Sequence, residues 1–355
     1  MKDLSLPVLL LIFAAAAAAI WVAGVKLSDT TDVLSTRLGL GQALGGIILL
    51  ALATNLPEIA ITASAALAHN LGIAIGNILG GIAIQTLVLV ALDAFGVKGE
   101  RPLTYRAASL QLVLEAGLVI AVLVVSVAGT RLPRNLIAFR IAPASVVIAV
   151  LWVGGLFLLN RAGQGLPWHE SGQAPDGQEP PRGHAEKQKE QKATENGAST
   201  GRTGLVFGIA AVVTLVAGVV LERSGDAIST HIGFSGVLFG ATVLAAATSL
   251  PELSTGLTSV KLGDYQLAMS DIFGGNAFLP VLFLFASLLS GTAVLPQAQD
   301  TDVYLTALGA LLTVVYLVGL IFRPSRRVAR MGPDSLVVLV LYALGIAGLV
   351  AIART

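Results

Sequence analysis

Apolar residues gather into long unbroken runs separated by short polar breaks. Five runs lie at about Leu4–Val25, Leu40–Leu67, Leu71–Phe95, Ala107–Ala128 and Leu136–Leu159. Five more lie at about Gly204–Leu221, Phe234–Val260, Tyr265–Leu289, Val303–Phe322 and Leu336–Ile352. Most exceed the ~18 residues that mark a helix able to cross a bilayer. Strands of a membrane barrel would alternate apolar and polar positions, and these runs do not. The pattern predicts an all-α transmembrane fold, a ten-helix bundle. Lys2 ahead of an apolar run also fits a cleaved signal peptide, but this run is long enough to span and is read as the first helix.

Between the two sets of runs lies a polar stretch from Arg161 to Thr203, rich in Gly, Pro, Gln, Glu and Lys and without hydrophobic period. It reads as a disordered linker. The chain thus divides into a membrane repeat of five helices over residues 1–160, a linker over 161–203, and a second five-helix repeat over 204–355. With the N-terminus outside, the inner side collects Lys26, Arg37, Lys98, Arg101, Arg106, Lys261, Arg323, Arg326, Arg327, Arg330 and the basic residues of the linker. The outer side keeps only Lys2, Arg131, Arg134, Arg140, Arg223 and Arg354. The positive-inside rule then places both termini outside and the linker in the cytoplasm. Five is odd, so the second half enters the membrane upside down relative to the first, which is the geometry of inverted repeats.

Composition narrows the class further. The 355 residues are 55% hydrophobic and only 12% charged, far less charge than a soluble chain of this length carries. The absence of cysteine excludes a disulfide framework and a thiolate metal site. The net charge of +1 carries no signal for nucleic acid, and none is expected as a partner. The expected partners are the lipid bilayer and inorganic cations, and the oligomeric state stays open.

The candidate chemistry sits in Ala51-Leu52-Ala53-Thr54-Asn55-Leu56-Pro57-Glu58 and in its near copy Ala245-Ala246-Ala247-Thr248-Ser249-Leu250-Pro251-Glu252. Each copy puts a proline and a carboxylate in mid-run. Proline frees the carbonyl four residues back, at Ala53 and Ala247. Irregular backbone at membrane depth survives where it is buried in protein or lines a wet cavity, and an intramembrane carboxylate points to function. A shift of 194 positions aligns the copies without a gap, matching Gly46 with Gly240, Thr54 with Thr248, Pro57 with Pro251 and Glu58 with Glu252. The register continues through Ala74/Ala268, Ile78/Ile272, Gly80/Gly274 and Gly81/Gly275. Two glutamates brought together near the midplane would repel, so a cation bridges them or a proton neutralises one. Thr54 and Thr248 lie one turn before them on the same helix faces. Hydroxyl, carboxylate and carbonyl oxygens suit hard cations such as Ca²⁺ or Na⁺. The four glycines either let helices approach closely or serve packing alone.

At these residues the chain resembles the calcium/cation antiporter superfamily, the group containing the sodium/calcium exchangers. The resemblance covers about Gly41–Phe95 and Gly236–Leu289. The family's Thr-Ser-Leu-Pro-Glu-Leu stands intact as Thr248 to Leu253. In the first copy Asn55 replaces the usual Ser. The resemblance implies cation ligands at Thr54, Glu58, Thr248, Ser249 and Glu252, with backbone carbonyls near Ala51 and Ala245; Asn55, Gln85 and Asp271 complete the candidate set. It also implies no resident cofactor, only transported cations (Ca²⁺, Na⁺ or H⁺), and a place in a prokaryotic cytoplasmic (inner) membrane. Sodium/calcium exchangers carry serine hydroxyls where this chain has Gly81 and Gly275, and an amide or acid where it has Gln85 and Leu279. The central carboxylates therefore survive while the flanking sodium ligands are thinned, which favours altered sodium stoichiometry or proton coupling.

The function expected is secondary active antiport, Ca²⁺ or a similar hard cation exchanged for Na⁺ or H⁺ by alternating access. The alternatives are a passive cation channel and a cation-binding relative that no longer transports. An intramembrane enzyme is not supported, since His-Glu-x-x-His does not occur and no Gly-x-Ser-x-Gly lies within an apolar run. Asp271, in place of the family's Asn, either adds negative charge or makes a packing hydrogen bond. Glu115 and Arg140 are expected to pair with each other. Asp93 and Glu222 are expected to reach water from the ends of their spans, and His169 and His184 to be solvated in the linker.

Overall fold

The computed structural model describes residues 1, 3–37, 47–163 and 200–353. Most of the linker, with His169 and His184, and Gly46 lie outside the described residues. The helices are α1 (Leu6–Arg37), α2 (Ile47–Thr54), α3 (Leu56–Leu67), α4 (Leu71–Gly96), the short α5 (Leu103–Ala107), α6 (Leu110–Thr130) and α7 (Pro143–Gly163). The second half supplies α8 (Thr200–Ile232), α9 (Gly236–Thr248), α10 (Leu250–Lys261), α11 (Tyr265–Ser290), α12 (Asp300–Phe322) and α13 (Pro333–Ile352). Among the described residues eight helices are long and apolar enough to cross a membrane, and the pair α9 and α10, bent by 41°, makes a ninth. The corresponding pair α2 and α3 is described only from Ile47 onward.

The duplication reaches further than the motifs. The starts of α3 and α10 (Leu56, Leu250) and of α4 and α11 (Leu71, Tyr265) are each 194 positions apart. After that the register tightens to 190. Pro143 and Pro333 open α7 and α13, and the preceding bridges Ala138–Ile141 and Val328–Met331 match at the same shift. Their two-residue turns match too, with positive φ at Phe139 and Arg140 and at Ala329 and Arg330. The four residues lost in the second copy come from the connection that in the first half holds α5.

The two halves also pack reciprocally. A Cβ built on Gly24 of α1 would stand 2.6 Å from the Pro251 Cβ. One built on Gly218 of α8 would stand 2.8 Å from the Ala60 Cβ and 3.1 Å from the Pro57 carbonyl. Gly24 and Gly218 are themselves 194 apart, so each half lays its first helix on the proline of the other. α1 and α8 run along one another, while α4 and α11 form the centre, burying Ile78, Ile82, Leu89, Ile272 and Phe273. Close approach at the centre relies on Gly80, where a Cβ would meet the Ala241 Cα at 2.2 Å. Val150, Phe157, Ile209, Val216, Val340 and Leu344 leave large apolar side chains on the outside of α7, α8 and α13, a surface suited to lipid rather than water.

Several sequence expectations need correction. The fifth span opens at Pro143, not Leu136; Leu136 sits in a 3₁₀ turn and proline takes the first helical position. Helix α1 continues through the polar Lys26–Arg37 segment, and α8 runs on past Leu221 to Ile232. Asp93 and Glu222 do not reach water. Asp93 is fully buried in a π-turn and accepts hydrogen bonds from Leu103 N (2.9 Å), Gly332 N (2.6 Å) and Ser335 Oγ (2.8 Å). Glu222 is buried and accepts from Ser64 Oγ at 2.8 Å. Glu115 and Arg140 do not pair: Glu115 lies buried near the start of α6, whereas Arg140 is exposed in the turn beyond that helix's far end.

Candidate functional site

Each motif breaks its helix for one residue. Asn55 (φ −85°, ψ 10°) and Ser249 (φ −80°, ψ 5°) take nearly the same bridging conformation, and α3 and α10 restart behind them with proline in the first turn. The restart places Glu58 and Glu252 in the first turn of the new helices, where the N-terminal end of the macrodipole favours negative charge. Both side chains are buried, Glu58 at 0% and Glu252 at 1% exposure.

The carbonyl of Ala51 accepts from Asn55 N (3.1 Å), Asn55 Nδ2 (2.6 Å) and Thr54 Oγ1 (3.3 Å). In the other half the carbonyl of Ala245 accepts from Ser249 N (3.0 Å), Ser249 Oγ (2.8 Å) and Thr248 Oγ1 (3.1 Å). The hydroxyls and amide of the two motifs thus gather round the same two carbonyls, one in each half. The Thr248 hydroxyl also lies against the Glu58 carboxylate, although neither Glu58 oxygen is held by a hydrogen bond of good geometry.

Glu252 is reached from the first half. Gln85 Nε2 lies 3.4 Å from Glu252 Oε1 and 3.5 Å from Asn55 Oδ1. Glu252 Oε2 and Gln85 Oε1 have no hydrogen-bond partner. The charges that act on Glu252 are Glu58 and Asp271. Asp271, 4% exposed, accepts from Thr255 Oγ1 at 3.0 Å, so the packing hydrogen bond and the added negative charge occur together. Around this centre lie further buried amides. Asn276 Nδ2 donates to Thr86 Oγ1 at 3.1 Å, and the Asn77 amide has no partner. The sequence reading did not single out Thr86 or Thr255; the available signal was a hydroxyl next to the amide Gln85 and another one turn after the acid Glu252.

The glycine substitutions also have a spatial meaning. A Cβ on Gly275 would stand 2.9 Å from Asn55 Nδ2 and 3.1 Å from Gln85 Oε1, and one on Gly81 would stand 3.2 Å from Leu279 Cδ1. The room for side chains at these positions is taken by the two amides on one side and by Leu279 on the other. All ten candidate residues lie in or beside the two helix breaks and the central pair α4 and α11. Among the described residues no three His, Asp or Glu side chains converge as a ready metal centre. The arrangement is two buried carboxylates, with Asp271 close by, set among hydroxyl, amide and carbonyl oxygens.

The sequence model of the family described as sodium/calcium exchanger protein matches residues 8–159 and again 202–351. The inner membrane protein YrbG of Escherichia coli (strain K12) is 27% identical over 285 residues, 78% of each chain. The putative antiporter CaxA of Alkalimonas amylolytica is 32% identical over 125 residues, 34% of this chain and 39% of that one. Among solved structures, the H⁺/Ca²⁺ exchanger CAX superposes with a TM-score of 0.68 at 14% identity, covering 97% of this chain and 85% of that one. The sodium-calcium exchanger NCX_Mj gives a TM-score of 0.61 at 15% identity, covering 96% and 98%. With the family model matching each half, the chain is an integral membrane protein and a member of the sodium/calcium exchanger protein family.

Proposed function

We propose that this protein is a secondary active antiporter that exchanges Ca²⁺, or a similar hard cation, for H⁺ or Na⁺ by alternating access. The observation that carries the reading is the pair Glu58 and Glu252, one from each half, buried together at two matching helix breaks. A dehydrated divalent cation needs oxygen ligands and nearby negative charge. Glu58 and Glu252 supply the charge. Thr54, Thr248, Ser249, Asn55, Gln85, Asp271 and the carbonyls of Ala51 and Ala245 supply the surrounding oxygens. When the divalent cation leaves, two protons or sodium ions restore neutrality, so the same two groups bind either ion in turn and never both at once. That competition is what makes an exchanger rather than a channel.

The architecture proposed is two inverted five-helix repeats, residues 1–160 and 204–355, with ten spans in all and a cytoplasmic linker over 161–203. Its support is the shared register and the exchange of first helices between the halves. An axis relating them in the membrane plane leaves the site at the interface and lets one half rock against the other. Both termini are then outside.

Between the coupling ions, the packing around Gly81 and Gly275 favours protons. The hydroxyls that would ligate sodium at these positions have no room without moving Leu279, Asn55 or Gln85. Purified protein in liposomes loaded with a calcium indicator tests the proposal directly. Ca²⁺ movement should follow an imposed proton gradient more steeply than a sodium gradient. Ca²⁺ flux that continues unchanged with neither counter-ion would favour a channel, and no flux under any gradient would favour a relative that only binds.

A further inference from the structure

We propose that Asp334 and Thr104, beside Asp93, hold a resident monovalent cation, Na⁺ or K⁺, at a site apart from the central one. Asp93 lies well past Gln85 in α4, about 12 Å further along the helix axis. The two halves themselves point to the site. At the shift of 190, Gly319 and Asp334 answer to Gly129 and Ala144. In the first half a Cβ on Gly129 would meet the Ala144 methyl at 2.5 Å; in the second a Cβ on Gly319 would run into Asp334 Oδ2. At the shift of 194, Asp93 answers to Ser287, whose hydroxyl accepts from Val294 N at 3.1 Å. The fold therefore closes this corner once with a methyl and a hydroxyl, and once with two buried carboxylates. Packing does not ask for the charges.

Asp93 is satisfied and Asp334 is not. Asp93 accepts from Leu103 N, Gly332 N and Ser335 Oγ. Ser335 spends its proton there, so Tyr316, 3.2 Å away, donates to the Ser335 oxygen and keeps its own lone pairs free. Asp334 is 6% exposed, and neither of its oxygens has a hydrogen-bond partner. Thr104, 1% exposed, lies against the same carboxylate, and its hydroxyl makes no hydrogen bond of good geometry either. Its neighbour Leu103 is the one bonded to Asp93. A Cβ on Gly332 would stand 2.9 Å from the Pro102 Cβ and run into Asp334 Oδ1. Asp93, the segment 102–104 and the segment 332–335 thus close on one point.

A buried carboxylate without partners is held by a cation or neutralised by a proton. The first turn of α13 favours negative charge on Asp334 but leaves its oxygens unbonded. Arg327 enters the corner from the side of Asp93. Its Nη atoms donate to the carbonyls of Asp93, Val97, Gly99 and Arg330 rather than to either carboxylate. Two carboxylates against this one guanidinium leave a single negative charge, which suits a monovalent rather than a divalent ion. The oxygens open to it are those of Asp334, Thr104 and Tyr316, a hard donor set. Bound there, the ion ties the first half, through Asp93 and Thr104, to α12 and α13 of the second.

The test follows the thermal midpoint of the full chain in detergent as NaCl or KCl replaces N-methylglucamine chloride at constant ionic strength, with Ca²⁺ chelated and at several pH values. The midpoint of the unsubstituted protein should rise by about 3 °C or more once one of the two salts is at ~100 times its Kd. Glu252→Gln, altered only at the central site, should keep this rise. Asp334→Ala, which installs the residue of the other half, should fold and lose it. Thr104→Val should need about tenfold more salt for the same rise. A rise in Asp334→Ala as large as in the unsubstituted protein would overturn the site, and so would a midpoint indifferent to both salts. A midpoint that ignores salt but climbs as the pH falls would assign a proton to Asp334 in place of the cation. If Asp334→Ala does not fold, an unchanged salt response in Thr104→Val overturns the site instead. None of these measurements involves transport, so this site and the antiport reading stand or fall separately.

Discussion

Gln85 of the first half donates to Glu252 of the second, Nε2 to Oε1 at 3.4 Å, and no equivalent exists in the other direction because its counterpart 194 positions on is Leu279. One glutamate is therefore steadied by an amide from the opposite half, while Glu58 faces its own backbone N–H and the Thr248 hydroxyl of the second half. The asymmetry makes the buried Gln85 the most informative target among the neutral site residues. Gln85→Leu keeps the size but removes both the donor and the unpartnered Oε1. A hydrogen bond to a charged group is worth ~1.5–3 kcal/mol. Ca²⁺ affinity measured by titration calorimetry should fall about tenfold or more, with the thermal midpoint little changed. Undiminished affinity would show that the amide is only a packing group.

Sodium coupling is the second prediction. The protein should depend less on a sodium gradient than exchangers with hydroxyls at both glycine positions, and its Ca²⁺ flux should respond to pH. A flux that follows sodium steeply and ignores pH would contradict this. Gly275→Ser together with Leu279→Asp should raise the sodium-driven share. The serine Cβ must first displace the Asn55 and Gln85 amides, which lie 2.9 and 3.1 Å from where it would stand. Because these are ends of flexible side chains, the displacement is tolerable, and a thermal shift of a few degrees should accompany it.

The register of 194 and the two helix breaks were legible in the sequence because proline and glutamate are conspicuous in an apolar run. The later tightening to 190 was not, since the residues of α6 and α12 share little beyond apolar character. Hydropathy also misplaced Asp93 and Glu222. A residue at the end of an apolar run looks free to meet water, and only the folded chain reveals that residues 103, 332 and 335 return to donate to Asp93. Arg327 closes the same corner, its guanidinium donating to the carbonyls of Asp93 (2.5 Å), Val97 (3.0 Å) and Gly99 (2.9 Å). All of these but the Leu103 bond join segments more than two hundred positions apart, and no local pattern announces them. The pairing expected between Glu115 and Arg140 failed for the same reason: opposite charges near one span say nothing about which end of the helix each occupies.

Gly80 offers a test of the central packing. A Cβ there would stand 2.2 Å from the Ala241 Cα and 2.7 Å from its carbonyl oxygen, both backbone atoms that cannot swing aside. Gly80→Ala should therefore destabilise the protein by about 1–3 kcal/mol, the usual range for overpacking. Gly117→Ala, with nothing within 4 Å of its added Cβ, should be neutral or stabilising by up to about 1 kcal/mol. Thermal unfolding of both variants in the same detergent checks the contrast. Equal midpoints would mean that α4 and α9 are not packed this closely.

Glu58→Gln and Glu252→Gln test the site itself. Glutamine keeps the size and one oxygen of each side chain but removes the charge, so the helix breaks at Asn55 and Ser249 should survive and the thermal midpoint should hold within a few degrees. Cation exchange should be lost or fall by at least a hundredfold in either variant. The two halves contribute one glutamate each, and a divalent cation stripped of water at membrane depth has little else to balance its charge. The outcome does not depend on the coupling ion, because the same carboxylates must accept a proton or a sodium ion on the return step. Full exchange by the doubly substituted protein at normal expression would move the site away from these helices altogether.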